Sequence, residues 1–186
     1  MSHPRRTGAF PRPPVTSRVR ERRAADLEGA AAALVRVYAS DGYPVEGVDD
    51  PRAWLRPADL LHAWVAEVDG EIVGHAVLTA PGDSADAVRI WREQAPDERV
   101  AVLGRLFVLP EARGYALGER LVRAAMELAE AQGLRLVLDV VDKDVAAIRL
   151  YERLGWRRIG TADHRFGDGR SITAYCYAAP LPAGSA

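Results

Sequence analysis

Cysteine is all but missing from this chain, Cys176 being the only one. A lone thiol excludes an internal disulfide and a cysteine-rich metal site, and it fits a protein that works in a reducing compartment. Long apolar runs are missing too: no stretch approaches the length that spans a bilayer, and the first residues lack the apolar core of a secretory signal. These absences predict a cytoplasmic chain with no membrane partner. Lysine is reduced to Lys143, every other one of the 25 basic side chains being arginine. Neither sign of charge dominates, with a formal net charge of −1 and a pI near 6.4. No global field therefore draws the chain to nucleic acid, and none is expected as a partner. The tripeptide G-K-[ST] occurs nowhere, which excludes a P-loop.

What the chain does have is apolar content of 48% over 186 residues, enough for one well-buried domain and too little for two ordinary ones. Residues 1–15 hold four prolines and several arginines and are expected to be a disordered leader, followed by a folded domain over 16–180 and a flexible tail over 181–186. Periodicity predicts a strand over 16–20 and a helix over 26–40 carrying Leu27, Ala30, Ala31, Leu34, Val35 and Tyr38 on its apolar face. A turn-rich acidic loop follows, with Asp41, Glu46, Asp49 and Asp50 around Tyr43 and Val45, then a short helix over 51–55 or 57–61. Asp69-Gly70 is a hairpin signal between strands 63–68 and 71–79. Beyond it the pattern reads helix 85–94, strand 100–109, helix 114–132 with Leu117, Leu121, Ala125 or Met126, and Leu128 as its stripe and Gly133 as its stop, strand 136–141, helix 145–154, and strands 157–162 and 171–178. The apolar runs 100–109 and 134–141 suggest central strands covered on both faces. The fold class is α/β (α+β).

The junction between strand 100–109 and the long helix carries the chemistry. Arg113-Gly114-Tyr115-Ala116-Leu117-Gly118 is a turn of small residues at a helix start, where unpaired N–H groups and the helix dipole favour an anion. Gly114, Ala116 and Gly118 would let a diphosphate approach the main chain, and Arg113 would add a charge-assisted contact. Its spacing is not the dinucleotide G-x-G-x-x-G pattern.

That hexapeptide resembles the R/Q-x-x-G-x-G/A pyrophosphate loop of the GNAT superfamily of N-acetyltransferases, with Ala116 in place of the first glycine. Downstream, Asp144, Ala147, Tyr151 and Gly155-Trp156 are similar to the family's N-x-x-A-x-x-x-Y-x-x-x-G-F/W segment, with Asp144 where asparagine is usual. An ionised aspartate can cap a helix but cannot donate the hydrogen bond of an amide. The resemblance covers roughly residues 16–180. It implies a single domain with a central, mixed, mostly antiparallel sheet flanked by helices and splayed between its two central strands. It also implies acetyl-coenzyme A as cofactor, held by Arg113, Gly114, Tyr115, Ala116, Leu117 and Gly118 at the diphosphate, by the backbone of Leu106, Phe107 and Val108 along the pantetheine, and by Asp144.

The implied activity is transfer of an acetyl group to a primary amine, a small molecule in preference to a protein or peptide, by direct transfer in a ternary complex. Tyr151 is the implied general acid: a phenol with a pKa near 10 stays protonated at neutral pH and can donate to a thiolate whose own pKa is about 8.5. The sequence names no single base; Glu98, His75, His164, Asp139 and Glu67 are candidates beside a water chain. Cys176 falls in an alternating strand as a small apolar side chain, which argues against an acetyl-enzyme. The acidic loop is a candidate for attracting a cationic amine, and Trp54, Trp64 and Trp91 either line an acceptor pocket or fill the core. Other readings of the same cradle are a noncatalytic acyl-coenzyme A sensor and an acetyltransferase of charged transfer RNA. A homodimer is left open.

Overall fold

The computed structural model describes residues 15–82, 85–167 and 169–180; all of the expected leader but Val15, and the whole expected tail, lie outside them. Seven strands form one open sheet in the order β1-β2-β3-β4-β5-β7-β6. They are β1 (Ser17–Glu21), β2 (Leu60–Val68), β3 (Glu71–Thr79), β4 (Val100–Val108), β5 (Arg135–Val141), β6 (Arg157–Phe166) and β7 (Arg170–Ala178). Every neighbouring pair is antiparallel except β4 and β5. The expected mixed, mostly antiparallel sheet flanked by helices is therefore what the chain forms.

The helices are α1 (Leu27–Asp41), the single turn α2 (Pro51–Trp54), α3 (Asp86–Gln94), α4 (Leu117–Ala131) and α5 (Val145–Arg153). Of the two positions expected for the second helix, the first is right: Pro51 supplies a preset φ at the helix start, and Asp50 caps it by accepting from the Ala53 N–H at 2.9 Å. Strand β2 begins at Leu60, three residues earlier than the alternation predicts, and β6 continues to Phe166.

Burial explains the layering. Leu34, Val37, Leu117, Leu121, Val122, Ala125 and Tyr151 from the helices meet Ala101, Leu103, Phe107, Leu136 and Leu138 of the sheet in the larger core. On the opposite face α3 lays Ala87, Val88 and Trp91 on Val100, Val137, Cys176 and Ala178. The buried stripe of α4 runs through Val122 and Ala129, leaving Met126 and Leu128 only partly covered.

Two departures from regular geometry shape the centre. Between the pairs His75–Phe107 and Val77–Gly104, β4 spends three residues where β3 spends two. The extra residue is accommodated by Arg105, whose φ of 53° lies in the left-handed region that non-glycine residues avoid. His75, 0% exposed, fixes this bulge. Its Nε2 accepts from Arg22 at 2.9 Å, so the proton sits on Nδ1, which donates to the Arg105 carbonyl at 3.3 Å. Burial and the Arg22 charge lower the His75 pKa to about 3. In the unfolded chain it would titrate near 6.5, so between these values only the unfolded state takes the proton and stability is lost as pH falls below about 6.5. Between pH 7.5 and 5.5 this term should remove about 1.4 kcal/mol of unfolding free energy, a loss that His75→Gln should not show in paired urea titrations.

The second departure is the start of α4. The expected helix from residue 114 instead begins at Leu117, because residues Pro110–Tyr115 form a 3-10 turn and Ala116 reverses the chain at φ 54°. Pro110 favours the tight turn, and alanine accepts the left-handed conformation only with strain. Ala116→Gly should raise stability by roughly 0.5 kcal/mol, the relief of strain being partly offset by the flexibility glycine adds to the unfolded chain. Urea unfolding of the two proteins measures it.

Candidate active site

Strands β4 and β5 pair only through Val100–Arg135, Ala101–Leu136 and Val102–Val137; no further residue pair joins them among the described residues. Beyond Val102 the strands part, which is the expected splay. Two cavities open along it. The larger, of about 370 Å³, is lined by Leu106, Phe107 and Val108 of β4, Ala116, Gly118 and Glu119 at the start of α4, and Asp144, Ala146 and Ala147 at the start of α5. Its wall is completed by Val37, Asp41, Tyr43, Arg113, Leu150 and Arg153.

Two helix starts thus face one space, and neither is capped by a side chain. In α4 the first amide answered by a carbonyl of the helix is that of Arg120, on Ala116 at 3.1 Å, so the N–H groups of Leu117, Gly118 and Glu119 precede the first helical bond. A Cβ on Gly118 would make only ordinary contacts, 3.6 Å from Leu150 and 4.0 Å from Val108, and without one the main chain there borders the cavity directly. These features fit a diphosphate, and they are the features that the cradle needs.

The residues predicted for the cofactor divide. Leu106, Phe107, Val108, Arg113, Ala116, Gly118 and Asp144 line the larger cavity, whereas Gly114, Tyr115 and Leu117 do not. Leu117 is fully buried in the core as the first residue of α4, and Tyr115 is exposed in the 3-10 turn. The Arg113 guanidinium is paired with Asp41 and donates to the Val108 carbonyl at 3.3 Å. It is a positioned group, not a free one. Asp144 is the first residue before α5, yet its side chain makes no capping bond; burial raises its pKa, with neighbouring Asp41 adding to the rise and Lys143 opposing it.

The smaller cavity, about 270 Å³, adjoins the first through Tyr43, Leu106, Asp144 and Ala147. It holds Tyr151, Trp54, Arg105, Glu46, His164 and Asp139. Tyr151 is 5% exposed, its ring packed at 5.5 Å on Trp156 and 6.4 Å on Tyr177, and its hydroxyl makes no hydrogen bond among the described residues. Burial first and Asp144 second push its pKa up, so it stays protonated well above neutrality. Tyr43, meeting Trp54 edge-on at 5.8 Å, is shifted the same way by burial.

Of the five candidate bases, three leave the site. Glu67 is bound by Arg18 and Arg20, which hold its pKa down. Glu98 is tied to Arg135 and Trp91, away from both cavities. His75 is the buried, neutral clamp of the β4 bulge. His164 and Asp139 remain. His164 Nε2 donates to Glu46 at 2.7 Å, and its Nδ1 makes no hydrogen bond among the described residues. Asp139 accepts from the Ala87 amide at 3.1 Å and the Cys176 thiol at 3.0 Å, and burial raises its pKa. Cys176 is buried beside that carboxylate, and burial with this bond pushes its thiol up, away from the thiolate.

The tryptophans also divide: Trp64 and Trp91 are core, while Trp54 lines the smaller cavity. Of the acidic loop, Asp50 caps α2, Asp49 lines neither cavity, Asp41 pairs with Arg113 on the wall of the larger one, and Glu46 lines the smaller. Sequence reasoning missed Arg105. No motif marks it, because its place depends on a bulge set by pairing with β3.

No helix among the described residues is long and apolar enough to cross a membrane. Residues 30–156 match the family described as Acetyltransferase (GNAT) family. The mycothiol acetyltransferase of Streptomyces coelicolor is 30% identical over 138 residues, which cover 69% of this chain and 39% of that protein. The chain therefore spans about two fifths of the length of that relative. Among solved structures, the ribosomal-protein-S18-alanine N-acetyltransferase of Escherichia coli superimposes with a TM-score of 0.65 at 21% identity, covering 92% of this chain and 99% of its own. NAA60 of Arabidopsis thaliana, in complex with acetyl-CoA, gives a TM-score of 0.66 at 17% identity over 88% of this chain and 97% of its own. With its open seven-stranded sheet, split centre and a family match over more than half its length, the chain belongs to the acetyltransferase (GNAT) family.

Proposed function

We propose that this protein is an enzyme that moves an acetyl group from acetyl-coenzyme A to a primary amine of a small molecule. The observation that carries the reading is the union of two uncapped helix starts with the unpaired edge of β4 in one cavity, and of that cavity with Tyr151. The main-chain amides at Leu117, Gly118 and Glu119 would hold the diphosphate, with Ala116 and Gly118 giving close approach and Arg113 on the rim. The β4 edge through Leu106, Phe107 and Val108 would receive the pantetheine as an added strand. Gly114 and Tyr115 would act by shaping the 3-10 turn without touching the ligand, and the buried Leu117 side chain would anchor α4 while its main-chain amide faces the diphosphate.

Bound acetyl-coenzyme A supplies an activated acetyl thioester; the rest falls to the chain. His164, oriented by Glu46, is the proposed base: its Nδ1 would draw a proton from the incoming ammonium, since amines near pKa 10.4 arrive charged. As the amine nitrogen bonds to the acetyl carbon and the carbon–sulfur bond breaks, Tyr151 would give its hydroxyl proton to the departing sulfur, and the second proton shed by the nitrogen would restore the phenol. Cys176, buried and held as a thiol by Asp139, does not compete as a nucleophile, which supports direct transfer. The test is thiol release from acetyl-coenzyme A by the purified chain over amines graded by charge and size. Amine-dependent release is expected. Saturable coenzyme binding with no release over the whole panel would favour a sensor instead.

A further inference from the structure

We propose that Arg105 selects the acceptor by gripping a carboxylate, so that the substrate amine belongs to an amino acid or a close analogue. This rests on the acetyltransferase reading above. Half-buried arginines elsewhere in the molecule are answered: Arg20 by Asp26 and Glu67, Arg22 by the Leu55 carbonyl and His75, Arg135 by Glu98 and the Ala179 carbonyl. Arg105 is the exception. Its guanidinium lies 5.0 Å above the Trp54 ring, and it makes no hydrogen bond or ion pair among the described residues. An aromatic face steadies a cation but leaves the five N–H donors unused. Because arginine does not give up its proton, this partly desolvated charge is attracted by the nearby Asp59 and Glu46 but bonded to neither, which leaves its donors open to an anion.

The backbone points the same way. Arg105 occupies a left-handed conformation, and Arg22, His75 and the Arg105 carbonyl form a hydrogen-bonded chain that holds it there. Strain maintained by buried partners marks a residue kept for its position. That position is the smaller cavity: Arg105 lines it and does not line the larger one, so the expected anion comes with the acceptor and not with the coenzyme.

The same cavity carries Glu46, Asp139 and Asp144. One guanidinium facing three carboxylates suits a zwitterion, its carboxylate on Arg105 and its ammonium among the acids beside Tyr151. A doubly charged phosphate would meet those acids as a repelling ring, whereas a singly charged carboxylate matches the planar fork. A volume of about 270 Å³ takes an amino-acid-sized group. Gripping the non-reacting carboxylate would fix the amine for attack.

The experiment compares, by thiol release under saturating acetyl-coenzyme A, each of several amino acids with its amide and with the amine left when the carboxyl group is removed. At least one amino acid should exceed both partners in kcat/KM by about tenfold or more. In Arg105→Gln that ratio should collapse toward one, chiefly through KM, and Arg105→Lys should retain part of it because the charge stays while the fork is lost. A ratio is read within one preparation, so partial misfolding of a variant does not imitate the result. Equal turnover of acid, amide and decarboxylated amine, or a preference that survives Arg105→Gln, overturns the role of Arg105 and leaves the acetyltransferase reading standing. No turnover of any amine overturns both.

Discussion

Tyr151→Phe will lower kcat for acetyl transfer about a thousandfold while coenzyme affinity changes by no more than about threefold. The phenol is the one proton donor that reaches the smaller cavity from the buried side of α5, and burial together with Asp144 keeps it protonated throughout the neutral range. A thiolate leaving without a proton would have to develop its full charge in a cavity lined by three carboxylates, so the loss belongs to the chemical step and not to binding. The variant is also clean. The hydroxyl has no hydrogen-bond partner among the described residues, and the ring contacts to Trp156 and Tyr177 persist with phenylalanine, so stability should hardly move. Turnover at saturating substrates, beside calorimetric titration of coenzyme A, separates the two quantities. Retention of more than a tenth of wild-type kcat would mean that the proton reaches sulfur by another route.

Gly118→Glu should weaken coenzyme A binding about a hundredfold, equivalent to about 2.7 kcal/mol. The added Cβ meets only ordinary contacts at 3.6 Å and 4.0 Å, so α4 can form around it. A carboxylate in the first turn even favours the helix, since it sits against the positive end of the dipole. That is why it should be so damaging to binding: the protein's own anion would occupy the place built for the diphosphate and repel it. Gly118→Ala supplies the contrast, adding a methyl in space that accepts one, and should cost only a few-fold. Unchanged affinity in the glutamate variant would contradict the cradle.

Local chemistry was readable from the chain; cross-strand chemistry was not. Asp69-Gly70 marked its hairpin, Pro51 its helix start, and the alternation around Cys176 its buried face, because each depends on a few neighbouring residues. The beginning of α4 was misjudged by three residues, since whether Gly114 or Leu117 opens the helix turns on the 3-10 geometry after Pro110. The fates of Glu67, Glu98 and His75 could not be read at all. Each is decided by an arginine 37 or more positions away in sequence, brought close only by sheet pairing. Arg105 is the extreme case: an ordinary arginine in an apolar strand, made unusual by one extra residue opposite His75.

Among the described residues three residue pairs stitch β4 to β5, so the strands β1 to β4 and the strands β5 to β7 meet along a narrow seam. A ligand wedged into the open part of that seam would act as a rivet, adding contacts between two leaves that main-chain bonds join over only a short stretch. Amide exchange throughout β5 and β7 should then slow in step with occupancy of the gap.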